Sequence, residues 1–191
     1  MVINDKRHRE LMTKYIEHTE QISKENFPDM RFEIEKPYNH YGSRGFIDIL
    51  FTFGNYTTSI CEVKPVLNNL GEALRQLRRA HEAILNNAIK DYPINDHIYL
   101  RLVTEFSEEN VKIIRNSYPI LKNVKELIID LYCGYNNEFY LITSNGISNY
   151  MIEKYGDPLL HRWEMCKNKE SDNDMEALQR VKIKHILENN R

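Results

Sequence analysis

From residue 45 the chain reads Gly-Phe-Ile-Asp-Ile-Leu-Phe-Thr-Phe, an apolar run of strand-forming residues. Gly54-Asn55 follows as a turn, and Thr57–Val63 runs back. Pro65 stops the second run, because proline has no N–H to give to a sheet ladder. This pattern predicts an antiparallel hairpin. Side chains on a strand alternate between faces, so Glu62 and Lys64 point the same way. Pairing through the turn brings Asp48, fourteen residues before Glu62, within reach of it. Asp48 lies between Ile47 and Ile49, and Glu62 between Cys61 and Val63. Charged groups in such surroundings cost free energy unless they are paired or bind a metal.

The rest of the chain is arranged around this hairpin. Residues 5–26 read as a helix: Asn4 or Asp5 can cap it, and Leu11, Met12, Tyr15, Ile16, Thr19 and Ile22 share one side. Phe27-Pro28-Asp29 ends it. Met30–Lys36 alternates as a strand, and Pro37 to Arg44 reads as a loop. Residues 68–90 predict a long helix whose apolar face carries Leu70, Ala73, Leu74, Leu77, His81, Ile84, Leu85 and Ala88. His97–Thr104 is an apolar, central strand, and Ser107 caps a short helix with Glu108 and Glu109 in its first turn. Val124–Cys133 and Glu138–Thr143 are two further strands. The order predicts an α/β (or α+β) fold, a sheet flanked by helices, in one domain over residues 1–166. Residues 167–191 read as a charged linker, to Asp174, followed by a C-terminal helix over Met175–Leu187.

Composition narrows the function. Hydrophobic residues make up 41% and charged residues 28%, enough for one core. No apolar run is long enough to span a membrane, and the basic N-terminus lacks the apolar stretch of a secretory signal, so a cytoplasmic protein is expected. Cys61, Cys133 and Cys166 are few and scattered, which predicts neither a disulfide framework nor a thiolate metal site. A bound metal must then be held mainly by oxygen or imidazole. The formal charge of −2 supplies no general attraction to nucleic acid, so contact with phosphates needs a local basic patch.

Two acids and a lysine suit phosphodiester hydrolysis. A hard divalent cation takes oxygen ligands and offsets the repulsion between carboxylates. The lysine can orient or deprotonate the attacking water, or neutralise charge on the phosphate. A cross-strand salt bridge between Asp48 and Lys64 is the purely structural alternative.

Asp48 followed by Glu62-Val63-Lys64 resembles the signature of the PD-(D/E)XK nuclease superfamily, which includes Holliday-junction resolvases, RecB-type nucleases and the TnsA transposase subunit. Glu62-Val63-Lys64-Pro65, with His40-Tyr41 ahead of the aspartate strand, is closest to TnsA-like and related phage or mobile-element nucleases. The match covers roughly residues 5–105. It implies a restriction-endonuclease-like mixed central sheet flanked by helices. It also implies Mg²⁺ or Mn²⁺ bound by Asp48, Glu62 and the backbone carbonyl of Val63, with Lys64 catalytic. Gln76 matches the glutamine that RecB-like members carry in the following helix, whereas Ala80 stands where a tyrosine is often found. Ile47 replaces the proline before the aspartate. The family often adds a glutamate from the first helix, for which Glu17 and Glu20 are candidates away from the apolar side.

Arg44, Arg75 and Arg79, with Arg78 and Lys64, can follow a phosphate backbone. The alternative is a solvated helix face paired with Glu72 and Glu82. Lys6, Arg7 and Arg9 either add to such contact or form a basic terminus, and His40 and Tyr41 either touch substrate or belong to an ordinary loop. His81 reads as a core residue, and the tyrosines from Tyr132 to Tyr155, with Trp163, as strand packing or base-stacking groups. The expected function is a metal-dependent nuclease acting on DNA in preference to RNA, possible as a homodimer. The alternative is an inactive module of the same fold that binds nucleic acid or assembles a transposition or phage complex.

Overall fold

The computed structural model of the chain describes residues 2–55, 57–89 and 97–168. The elements are α1 (Val2–Ser23), β1 (Arg31–His40), β2 (Ser43–Phe53), β3 (Thr57–Val63), α2 (Leu70–Leu85), β4 (His97–Glu105), α3 (Glu108–Asn116), α4 (Tyr118–Leu121), β5 (Leu127–Cys133), β6 (Glu138–Thr143) and α5 (Asn149–Tyr155). Residues 158–168 are also helical, so the charged stretch expected as a linker begins inside a helix, at Lys167 and Asn168. The expected helix over Met175–Leu187 lies outside the described residues.

The fold is mixed α/β. Six strands form one open sheet in the order β1-β2-β3-β4-β5-β6. β3, β4 and β5 run parallel, joined through α2 and then α3–α4, and the remaining neighbours are antiparallel. Parallel strands need a crossover, and these helices provide it. Alternation along the strands sends residues to two cores. Ile49, Phe51, Cys61, Val63 and Val103 pack on Leu11, Met12 and Tyr15 of α1. Leu50, Ile60, Leu102 and Ile129 face the other way, onto Leu77 and Ile84 of α2 and Ile114 of α3. Each such large apolar side chain, fully buried, stabilises the fold by roughly 1.5–3 kcal/mol. Strands covered on both faces are buried almost throughout, as β3 and β5 are, and β5 also reads as a near-continuous apolar run.

Helix starts follow local chemistry. The Asn69 side chain accepts a hydrogen bond from Glu72 N at 3.0 Å, and the Ser107 hydroxyl accepts one from Asn110 N at 3.2 Å.

The structure corrects four expectations. The Pro37–Arg44 loop is a tight hairpin: Pro37 pairs with Phe46 inside β1, and only Tyr41 and Gly42 turn. Proline fits there because β1 is an edge strand. Ile22 is 59% exposed and Leu85 is also exposed, while Ala80 and Ala83 are buried instead. Finally, Cys133 and Cys166 form a disulfide with Cα atoms 6.1 Å apart. The end of β5 meets the last described helix there, a proximity that 33 residues of separation hide. No described helix is long and apolar enough to cross a membrane.

Candidate functional site

The predicted hairpin forms, and its ladder stops where the site begins. β2 and β3 pair from Phe53–Thr57 to Ile49–Cys61. The next step of that register sets Asp48 opposite Glu62. There the Asp48 side chain takes over from the backbone: its Oδ2 accepts from Val63 N at 2.7 Å. The N–H and C=O of an extended residue point to the same side, so the Val63 carbonyl faces the same gap.

Glu62 is almost fully buried, and Lys64 Nζ lies 2.5 Å from its Oε1. The ion pair of Lys64 is therefore with Glu62. Burial, and then the charge of Asp48, push the Glu62 carboxyl up to about 7, against the pull of Lys64 and His8. His8, from α1, sets Nε2 3.2 Å from Asp48 Oδ2. A carboxylate only accepts, so the ring nitrogen donates. That hydrogen bond raises the His8 pKa, against the effect of its burial.

The segment after β3 is clamped by Asn110. Its Oδ1 accepts from Leu67 N at 3.0 Å, and its Nδ2 donates to the Pro65 carbonyl at 2.8 Å, to Thr104 Oγ1 at 2.9 Å and to the Glu105 carbonyl at 2.8 Å. Lys64 N donates to the Val103 carbonyl at 2.8 Å. The lysine thus leaves a backbone held on both sides.

α2 and β1 flank the acids. Gln76 Oε1 is buried without a hydrogen-bond partner among the described residues. The Tyr38 hydroxyl, its pKa raised chiefly by burial, feels the charges of Arg79, Glu62, Arg75 and Glu72. The Tyr38 ring lies over Gly45, where an added Cβ would meet its Cζ at 2.5 Å, so no larger residue fits beneath it.

The remaining predicted residues fall as follows. Arg75 is bound to Glu72, and Arg78 Nε lies 3.7 Å from Glu82 Oε1, as a solvated helix face would have them. Arg44 is exposed on β2 beside Phe46. Glu17 and Glu20 are exposed, nine and twelve residues along α1 from His8, or about 14 and 18 Å. The structure does not bring them to Asp48. Arg7 is hydrogen-bonded to Glu105 and Lys6 lies 3.7 Å from Glu10. Tyr140 is buried and Trp163 packs on Phe106, whereas Tyr150 and Tyr155 are exposed. Burial lowers the pKa of the half-buried His81. His8 and Asn110 were not legible in the sequence. The spacing of His8 on an amphipathic helix signals nothing, and Asn110 is one of three polar residues in the first turn of α3, with Glu108 and Glu109.

Among the described residues no three His, Cys, Asp or Glu side chains converge as a ready-made cation cage. The donors present are two carboxylates and a carbonyl facing one gap. That set fits a hard cation such as Mg²⁺, which commonly takes one or two carboxylates and keeps several waters. Compared with models of protein families, with curated proteins and with solved structures, the chain finds no match.

Proposed function

We propose that the chain is a metal-dependent nuclease with the active site of the PD-(D/E)XK superfamily, on a restriction-endonuclease-like sheet, acting on DNA in preference to RNA. The observation that carries this reading is the broken ladder between β2 and β3. It sets Asp48 across from a buried Glu62 paired to Lys64, with the Val63 carbonyl turned to the same gap. Asp48, Glu62 and the Val63 carbonyl would hold Mg²⁺ or Mn²⁺. Such a cation polarises a phosphate and acidifies a water. Lys64 is placed to orient that water or to balance charge on the phosphate. His8 holds Asp48 in position by its hydrogen bond. Gln76 brings an acceptor that lacks a donor, suited to a water or a substrate group. Arg44 and Arg79 offer charge to a phosphate backbone.

Purified protein incubated with single-stranded, duplex and branched DNA and Mn²⁺ is expected to cleave at least one of them. Glu62→Gln, close in shape to the native residue, is expected to lower the rate at least about a hundredfold, the scale of losing a principal charge-stabilising group. No cleavage by the wild type, or equal cleavage by the variant, removes the catalytic reading.

Two observations favour a second reading, a non-catalytic module of the same fold that binds nucleic acid or assembles a larger complex. Arg75 and Arg78 lie beside acids of their own helix, and the cation donors are few. Tight DNA binding with no heat of Mn²⁺ binding in calorimetry would select it.

A further inference from the structure

A cavity of about 250 Å³ opens between the C-terminal half of α1 and the sheet. It is separate from the acids of the hairpin. Thr57 and Ser59 line it at the start of β3. Glu62 and Lys64 lie three to seven residues further along, roughly 10–23 Å at about 3.3 Å per residue.

The wall is aromatic, from Phe27, Phe51, Phe53, Tyr99 and Phe139. Ile22 and Leu141 are about half exposed and mark the mouth. The polar end is Arg101. Its Nη1 donates to Tyr15 Oη at 2.7 Å and to the two Asp130 oxygens at 3.0 and 3.1 Å. The Tyr15 hydroxyl donates to Asp130 Oδ2 at 3.0 Å. Asp130 therefore already receives donors on both oxygens. Nε and Nη2 of Arg101 make no hydrogen bond among the described residues, and neither is a buried orphan. These two nitrogens form the side-on edge of the guanidinium, the edge that matches the two oxygens of a carboxylate. The side chain is still 26% exposed, and it lines the cavity. Burial works against the Arg101 charge, but Asp130 and Tyr15 hold the pKa above normal. Burial also lowers the pKa of His18 on the rim.

Size narrows the occupant. An apolar cavity of about 150 Å³ holds benzene, and a water-sized group takes about 30 Å³. The volume here fits one aromatic ring with an arm of about three heavy atoms. We propose that this cavity binds a small aryl-alkyl carboxylate, with its ring among the phenylalanines and its carboxylate on the Nε/Nη2 edge of Arg101.

The probes are 3-phenylpropionate, 3-phenylpropan-1-ol and 3-phenylpropylamine, titrated calorimetrically into the full chain. The acid is expected to bind one to one, at least about tenfold tighter than the amine and tighter than the alcohol, since a charge-assisted bidentate pair supplies the difference. Arg101→Lys keeps the charge and removes the edge, so it is expected to weaken the acid at least about fivefold with the alcohol unchanged, on the same hydrogen-bonding grounds. Should that variant fail to fold, Thr57→Phe fills the cavity without touching the ion pair and is expected to abolish binding of the acid. No binding of the acid at millimolar concentration overturns the proposal. So does an amine or alcohol that binds as tightly, or undiminished binding of the acid to Thr57→Phe.

Discussion

Glu62 shows how one residue can weaken the fold and, on the proposed function, supply the chemistry. Burial, and then the nearby Asp48, push its carboxyl up to about 7. A carboxyl raised in this way favours the folded state while protonated. Its contribution is complete below the unfolded pKa of about 4.5 and is lost as the pH rises through about 7. Above that pH the fold carries an ionised acid that Lys64 only partly balances. A divalent cation on the same oxygens would relieve this load and compete with the proton. Mn²⁺ is therefore expected to raise the melting temperature more at pH 8 than at pH 5.5, and Glu62→Gln to flatten that difference, as thermal unfolding at the two pH values will show. An equal shift at both values would detach the cation from Glu62.

At the scale of elements, the site depends on how β3 ends. Asn110 spends both its donor and its acceptor on the strand exit: the carbonyl accepts from Leu67 N, and the amide donates to the carbonyls of Pro65 and Glu105. Each buried group left without a partner costs about 1–3 kcal/mol. Asn110→Ala is thus expected to destabilise the fold by at least about 2 kcal/mol in denaturant titration and, on the proposed nuclease function, to lower cleavage by releasing the backbone beneath Lys64. The hairpin was legible because local signals agree there: an apolar run, a Gly-Asn turn, a return run and a proline stop. α2 was legible from its period. The extent of β1 was not, since Pro37 reads as a breaker until β1 is known to be an edge. His8 and Asn110 were hidden because their partners, Asp48 and Pro65, lie 40 and 45 residues away. No local pattern records such contacts, and the same holds for Cys133 and Cys166.

Taken whole, the molecule is a sheet with helices on both faces, tied at its far side by the Cys133–Cys166 link. That link closes a loop of 33 residues containing β6 and α5. Cross-linking a loop of this length restricts the unfolded chain by about 3–4 kcal/mol. A reducing agent is expected to lower the melting temperature of the wild type and to leave that of Cys133→Ser unchanged. The opposite rim of the sheet bears on assembly. At β1 the extended run is interrupted by Glu35, whose φ is +47°, and by Pro37, which has no amide hydrogen to offer. A strand so marked is a poor template for a neighbouring chain. Any pairing of two copies is then expected to use another surface. Replacing Glu35 and Pro37 together, Glu35→Thr with Pro37→Val, is expected to make the chain stack edge to edge more readily than the wild type, visible as increased light scattering and thioflavin fluorescence.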